Sequence, residues 1–223
     1  MPSLWFDIAH LFAGGVLVLS LVLLYQDRIT AAINVFALQA ITLALSVGWQ
    51  AFIQREPLLL VTALLAFLVK GFIIPTALHR IVRRLDVHRE VEQVIGGGAT
   101  MLAGLALVAL SILLMHPVRG SGDLVAREDI AFALAVVLLG LLMMITRRNA
   151  VTQVIGFMSL ENGLILAATG ARGMPLVVEI SVAFSVLIAF IVFGVFVFRI
   201  RERFDTVDVT VLERFRGESK EHG

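Results

Sequence analysis

The sequence contains no cysteine, and only 16% of its residues are charged, where an average soluble domain has about a quarter. The absence of cysteine excludes disulfides, thiolate metal sites, iron–sulfur ligation and thiol catalysis within this chain. It also has no phosphate-binding loop, dinucleotide fingerprint or nucleophile–base motif, and its histidines do not cluster. We therefore expect a non-catalytic protein with no cofactor or metal of its own, whose chemistry is limited to moving protons.

Long apolar runs dominate the sequence, in which 59% of the residues are hydrophobic. Each run is about 20 residues long, enough for a helix to cross a ~30 Å hydrocarbon core. Backbone polar groups in lipid must be satisfied within the segment, and short alternating segments typical of barrels are absent. The pattern predicts an all-α integral membrane protein of about seven spans: 5–25, 30–53, 57–79, 94–115, 128–146, 150–170 and 175–198.

Basic residues alternate between the two sides of these spans, with Lys70 inside the third span. One side holds most of them: Arg28, Arg80, Arg83, Arg84, Arg89, Arg147, Arg148, Arg199, Arg201, Arg203, Arg214, Arg216 and Lys220. The other side holds Arg55, Arg119, Arg127 and Arg172. Because basic residues accumulate on the cytoplasmic side, the N-terminus is predicted outside and the C-terminus in the cytoplasm. The first ten residues lack the basic start of a signal peptide.

A faint internal repeat suggests how the spans are organised. The segment 57–86 resembles 175–205, and Leu38-Gln39 is placed in the second span much as Leu160-Glu161 is in the sixth. Parallel duplication is known in transporters. We expect a three-helix unit with a basic cytoplasmic loop at 1–93, a connector helix and outer loop at 94–127, a second three-helix unit at 128–203 and a cytoplasmic tail at 204–223.

Three ionisable residues within spans are the candidate proton-relay residues, because charge inside a bilayer is costly and usually functional. Glu161 is ~16 Å into its span, where it either carries protons or is a protonated carboxyl hydrogen-bonded between helices. Lys70 is a relay or the counter-ion of a carboxylate, and at ~15 Å from the cytoplasmic end it is too deep to snorkel. Glu179 forms the mouth of a proton path or is a first-turn carboxylate favoured by the helix dipole.

Uncharged polar residues in the spans are candidates for supporting these groups by hydrogen bonds: Asn34, Gln39, Ser159 and Asn162. Interhelical hydrogen bonds without a role in proton transfer are the plainer explanation for any one of them. Gly96, Thr100 and Gly104, at four-residue spacing, predict a close-packing face on the fourth span.

Residues 152–167, TQVIGFMSLENGLILA, resemble component E of hydrogenase-4, and this resemblance covers the whole chain. Residues 128–217 also resemble the K subunit of respiratory complex I and the matching small subunit of multisubunit cation/proton antiporters. The Ile155-Gly156 and Leu160-Glu161 pairs and the tail 205–217 carry this second resemblance. It implies that Glu161 is the intramembrane proton-carrying glutamate. The second glutamate of the complex I subunit has no match in 180–198, and Glu179 comes earlier.

The resemblance implies a non-catalytic membrane-arm subunit of a group 4 hydrogenase, formate hydrogenlyase or complex I-like assembly in a bacterial or archaeal cytoplasmic membrane. Its expected partners are larger antiporter-like membrane subunits, the lipid bilayer and a cytoplasmic redox module, with no nucleic acid. Nickel–iron and iron–sulfur centres would belong to that module. A structural scaffold that passes no protons, and a stand-alone ion-coupled transporter, are the alternatives.

Overall fold

The computed structural model of the protein describes residues 2–85, 96–115 and 124–170, all within the compact unit Met1–Val186. Every regular element of these residues is a helix. Six helices among them are long and apolar enough to cross a membrane. The first six of the expected spans are therefore confirmed, while the seventh, at 175–198, lies outside the described residues.

The six helices are numbered α1 to α6 in chain order. Their bounds are Pro2–Tyr25 for α1, Ile29–Gln54 for α2, Gly97–Met115 for α4, Leu124–Thr146 for α5 and Ala150–Gly170 for α6. Helix α3 is continuous through three segments, Pro57–Leu65, the π-helical Ala66–Ile73 and Ile74–Leu85.

Two helix ends differ from the sequence-based expectation by more than three residues. Helix α3 does not end at 79 but continues to Leu85, so Arg80, Arg83 and Arg84 are helical and not part of a loop. Positive side chains in a last turn are favoured by the helix dipole, which explains the extension. Helix α5 begins at Leu124, four residues before the expected start at 128, because the apolar Leu-Val-Ala run continues the helical segment outward.

The three turns that the structure describes, at 26–28, 55–56 and 147–149, are short, and local bonds close the last two. Arg55 adopts a left-handed backbone conformation, with φ of 54°, and its N–H donates to the Ala51 carbonyl at the end of α2. Pro57 then occupies the first turn of α3, where its missing N–H costs nothing. At the start of α6 the Asn149 side chain accepts a hydrogen bond from the Val151 N–H at 2.8 Å, an N-cap.

Contacts between helix ends show which turns share a side of the bundle. The Arg147 guanidinium, after α5, donates to the Leu24 carbonyl at the end of α1. At the other end, the Gln54 amide donates to the Thr169 carbonyl at 3.2 Å, which joins the ends of α2 and α6. We call these the arginine end and the opposite end. The arginine end includes Arg28, as the charge pattern predicts; which end faces the cytoplasm stays a prediction.

Arg147 is fully buried at the arginine end, with 1% of its surface exposed. Its bond to Leu24 satisfies one of the carbonyls that a helix C-terminus leaves without an intrahelical partner. Burial lowers the pKa of Arg147 from its ordinary value, and the nearby Asp27 carboxylate acts in the opposite direction. The side chain therefore fastens the α5–α6 turn to the end of α1.

Helices α5 and α6 approach so closely that glycine is required between them. A Cβ atom on Gly140 of α5 would come within 2.5 Å of the Leu160 backbone nitrogen on α6. A Cβ on Gly163 of α6 would come within 2.8 Å of the Val137 backbone nitrogen on α5. Small residues at membrane helix interfaces permit this backbone approach, and here they fix α6, which carries Glu161.

Helix α4 is mostly exposed and touches the bundle along a narrow face. Thr100, Gly104 and Ser111 are its buried residues. A Cβ on Gly104 would meet Leu24 at 2.7 Å and Leu139 at 3.1 Å, so this glycine is part of a close-packing face, as predicted. Gly96 is not part of it, because a Cβ there would meet nothing within 4 Å. Gly96 lies just before the helix, beyond its packed turns.

Because the sequence lacks cysteine, single-cysteine variants test the predicted orientation without background. Glu56 is exposed at the opposite end and Arg148 is exposed at the arginine end. We expect a membrane-impermeant maleimide to label Glu56→Cys in intact cells, and to label Arg148→Cys only after permeabilisation. The reverse labelling pattern would reverse the orientation.

The α5–α6 contact predicts a cost for one added methyl group. Gly140→Ala should lower the free energy of unfolding by about 2 kcal/mol or more, because the clash is with backbone. Gly98→Ala, which meets nothing within 4 Å, is the matched control. Thermal unfolding in lipid nanodiscs measures both, and an unchanged Gly140→Ala midpoint would contradict the close approach.

Candidate functional site

The candidate site forms in the middle of the bundle, where Lys70 of α3 meets Glu161 of α6. Lys70 Nζ lies 3.2 Å from Glu161 Oε2. The two residues are 1% and 2% exposed, so both charges are withdrawn from solvent within the protein. An isolated charge in the hydrocarbon region is costly, and an opposite charge at contact distance offsets this cost. The structure thus brings Lys70 and Glu161 into contact, which the sequence alone leaves open.

The backbone around Lys70 departs from the ordinary α-helix. Ala66–Ile73 is π-helical, and the Ile74 N–H donates to the carbonyl of Val69, five residues earlier. Pro75 follows directly and has no N–H for the carbonyl of Gly71, so the α-helical pattern is already interrupted there. Gly71 lies against α2: a Cβ on it would be 3.1 Å from Ile41 Cγ1. This local geometry places Lys70 towards α6.

Amide side chains extend the ion pair into a hydrogen-bonded chain. Lys70 Nζ donates to Asn162 Oδ1 at 2.9 Å, and Asn162 Nδ2 donates to Gln39 Oε1 at 3.3 Å. Gln39 Nε2 then donates to Ser20 Oγ at 2.7 Å and to Ser159 Oγ at 2.9 Å. We call these residues the buried polar cluster: Ser20 of α1, Gln39 of α2, Lys70 of α3 and Ser159, Glu161 and Asn162 of α6. Side chains from four helices are thus joined.

The structure brings together most of the residues that the sequence singled out. Lys70, Glu161, Gln39, Ser159 and Asn162 are all members of the buried polar cluster. Asn34 is exposed and lies apart from it, because α2 turns that position away from the buried face. Glu179 lies outside the described residues.

Ser20 is the member that the sequence analysis missed. It is a single hydroxyl in an otherwise apolar run, and such serines usually bond to their own helix. Ser20 does donate to the Val16 carbonyl at 2.8 Å, while its oxygen accepts the Gln39 amide. Only the packing of α1 on α2 shows the second bond.

Within the described residues, no group of three His, Asp or Glu side chains is arranged to hold a metal ion. The structure has an open cavity of about 580 Å³ beside the turn of Arg55 and Pro57. Another, of about 530 Å³, lies along α1 and includes His10 and Thr42. Members of the buried polar cluster line neither cavity.

The architecture and the site together define a polytopic membrane protein that keeps an ion pair inside a helix bundle. The chain belongs to the same protein family as the uncharacterized protein Rv0085 of Mycobacterium tuberculosis. The two are 30% identical over 210 residues, which cover 92% of this chain and 94% of that protein.

Distant homologues carry a functional name. Hydrogenase-4 component E of Escherichia coli K12 is 26% identical over 212 residues, covering 94% of this chain and 98% of component E. Component E of Shigella flexneri matches to the same extent. No protein-family model matches the chain, and no solved structure does. The resemblance to component E is therefore supported over nearly the whole chain, and the resemblance to the complex I K subunit stays a prediction.

The ion pair predicts a specific pattern of stability losses. Lys70→Met and Glu161→Gln should each lower the free energy of unfolding by about 3–5 kcal/mol, because each leaves a buried charge without its partner. The double variant should lose less than the sum of the two. Unfolding midpoints in mixed micelles measure the cycle, with Glu56→Gln as an exposed control. Additive losses would show that the two charges are not coupled.

Proposed function

We propose that the chain is a non-catalytic membrane subunit of a hydrogenase-4-type complex, in which Lys70 and Glu161 carry protons within the bilayer. The observation that supports this proposal is the ion pair itself, two buried groups of opposite charge 3.2 Å apart. Ionisable residues within membrane spans are rare, and they commonly mark proton and ion pathways.

The pair is suited to proton transfer because the two groups can exchange a proton directly. When a proton moves from Nζ to Oε2, the N–H bond breaks and an O–H bond forms, leaving a neutral amine and a neutral carboxyl. In a low dielectric, the charged and neutral forms of a close pair differ less in free energy than in water, since burial penalises the charged form. A change in charge near the pair therefore shifts the equilibrium between its charged form and its neutral form.

The rest of the cluster holds this pair in position. Asn162 accepts from Lys70 and donates to Gln39, so its orientation is fixed at both ends. Gln39 in turn bonds the hydroxyls of Ser20 and Ser159. Hydroxyl groups both donate and accept protons, whereas amides mainly position their neighbours. In this proposal Ser159 and Ser20 extend the path away from the pair, and Glu179 remains a candidate for its mouth.

The π-helical segment around Lys70 is a second supporting observation. Such segments are rare in α-helices and frequently occur at functional sites. Here the segment spans Ala66–Ile73 and contains Lys70 itself. The longer hydrogen-bonded turns of this segment point Lys70 in a direction that an uninterrupted α-helix would not give it. A requirement for that direction would explain why the segment is π-helical.

The homology to hydrogenase-4 component E supports membership of a multisubunit membrane complex. The proposed partners are larger antiporter-like membrane subunits and a cytoplasmic redox module that holds nickel–iron and iron–sulfur centres. The proposed location is the cytoplasmic membrane of a bacterium or archaeon, with the arginine end towards the cytoplasm. The proposal includes a relationship of residues 128–217 to the complex I K subunit, in which Glu161 would take the place of the intramembrane glutamate.

A purely structural role is the second candidate, and one observation favours it. The hydrogen bonds of the buried polar cluster connect α1, α2, α3 and α6, so the same groups also hold the bundle together. In that case the subunit joins its larger partners without passing protons. A stand-alone ion-coupled transporter is the third candidate.

Proton translocation by the intact complex in sealed vesicles tests the proposal. Glu161→Gln keeps the size and hydrogen bonding of the side chain but cannot carry a proton. We expect it to lower pumping on the order of tenfold or more at equal assembly and redox turnover. Glu56→Gln, an equal change at an exposed turn, should pump as the unchanged protein does.

Assembly of the complex separates the candidate roles. If Glu161→Gln assembles and pumps normally, the relay is wrong and the scaffold takes its place. If Glu161→Gln fails to assemble, Glu161→Asp is the deciding variant, because aspartate restores the carboxyl group. Pumping by the Glu161→Asp complex supports the relay. Assembly of that complex without pumping contradicts the relay.

A further inference from the structure

A second ionisable pair connects α1 and α5 at the opposite end of the bundle. His10 Nδ1 lies 2.9 Å from Asp129 Oδ1, although the residues are 119 positions apart in the sequence. The imidazole ring also packs against Phe132, one turn after Asp129, with ring centroids 5.0 Å apart. The ring is therefore held from two directions by α5.

The two side chains differ in exposure in a way that gives them different roles. The Asp129 side chain is 9% exposed, whereas that of His10 is 32% exposed. The carboxylate is thus enclosed next to Nδ1, while part of the ring reaches the open cavity of about 530 Å³ along α1. A buried carboxylate that accepts from one ring nitrogen fixes the orientation and tautomer of the imidazole.

The open cavity continues from His10 along α1. Its walls include Gly14, Gly15, Leu19 and, on α2, Thr42. Gly15 lets α1 lie close to α2, since a Cβ on it would be only 3.3 Å from Thr42 Cγ2. Thr42 is one helical turn after Gln39 in α2, but no member of the buried polar cluster lines the cavity.

We propose that His10 and Asp129 form a proton-exchanging site at the opposite end of the bundle, which takes up or releases protons at the mouth of the α1 cavity. Histidine is the side chain that ordinarily changes charge near neutral pH. The site adds a point of proton entry or exit to the proposed function. The direction of proton transfer at this site depends on that proposed function.

The charged residues closest to the pair in sequence lie on its own two helices. Asp7 precedes His10 by one turn on α1, and Arg127 and Glu128 precede Asp129 in the sequence of α5. Helix α2 contributes Thr42 to the cavity wall, which does not titrate near neutral pH. Helix α4 has no charged residue between Gly97 and Met115.

A titration that does not depend on pumping tests the chemistry of the site. The full chain, labelled with ¹⁵N-histidine in lipid nanodiscs, is followed by NMR from about pH 5 to about pH 9, with His10→Gln to assign the signal. We expect the His10 ring to change protonation state in this range, and the transition to move when Asp129→Asn removes the carboxylate. A ring that keeps one protonation state throughout overturns the proposal.

Pumping by the assembled complex tests the role of the site. His10→Gln retains a side-chain donor for Asp129 but does not titrate, and should slow pumping about tenfold. His79→Gln on α3, at the arginine end, is the matched control and should have no effect. If His10→Gln pumps normally while Glu161→Gln does not, the pair is only a link between α1 and α5 and this inference fails alone. If neither variant changes pumping, the proposed function fails as well.

Discussion

An ammonium group and a carboxylate 3.2 Å apart in the interior of a helix bundle constrain everything around them. Either group alone in hydrocarbon is costly, so α3 and α6 must remain close enough for Lys70 to reach Glu161. The remaining donors on Lys70 also require acceptors, and Asn162 supplies one. Each buried polar atom needs a hydrogen-bond partner. Asn162 therefore bonds to Gln39, and Gln39 bonds to Ser20 and Ser159.

Close backbone packing provides the rigidity that such a chain of bonds requires. Gly140 and Gly163 let α5 and α6 approach almost to backbone contact. Asn149 caps the start of α6, and Arg147 fastens the preceding turn to the end of α1. Glu161 is therefore carried by a helix that is fixed along its length, whereas Lys70 is carried by a helix whose backbone is irregular. One partner of the pair thus lies on a regular helix packed closely against α5, and the other lies on a π-helical segment.

Hydropathy and charge predicted the number and alternation of the described helices, because hydrocarbon thickness and the cost of buried charge leave few alternatives. The free-energy cost of placing a charge inside a bilayer also singled out Lys70 and Glu161 in the sequence. Asn34 and Gln39 could not be told apart in the sequence, since both are amides on one helix and only the packing of neighbours decides which is enclosed. Ser20, His10 and Asp129 escaped notice because their partners lie on other helices, up to 119 positions away. The end of α3 was missed because arginines suggest a loop although they also suit a helix C-terminus.

The π-helical stretch of α3 has a consequence for how this helix evolves and is aligned. Each π turn holds one more residue than an α turn, so residues after Ile73 are rotated by about 100° per extra residue relative to an uninterrupted helix. A helical wheel drawn through the whole of α3 therefore assigns the wrong phase to one of its halves. A relative in which one residue of this stretch is deleted would keep both flanking halves helical and still cross the bilayer, yet its lysine would point to a different neighbour.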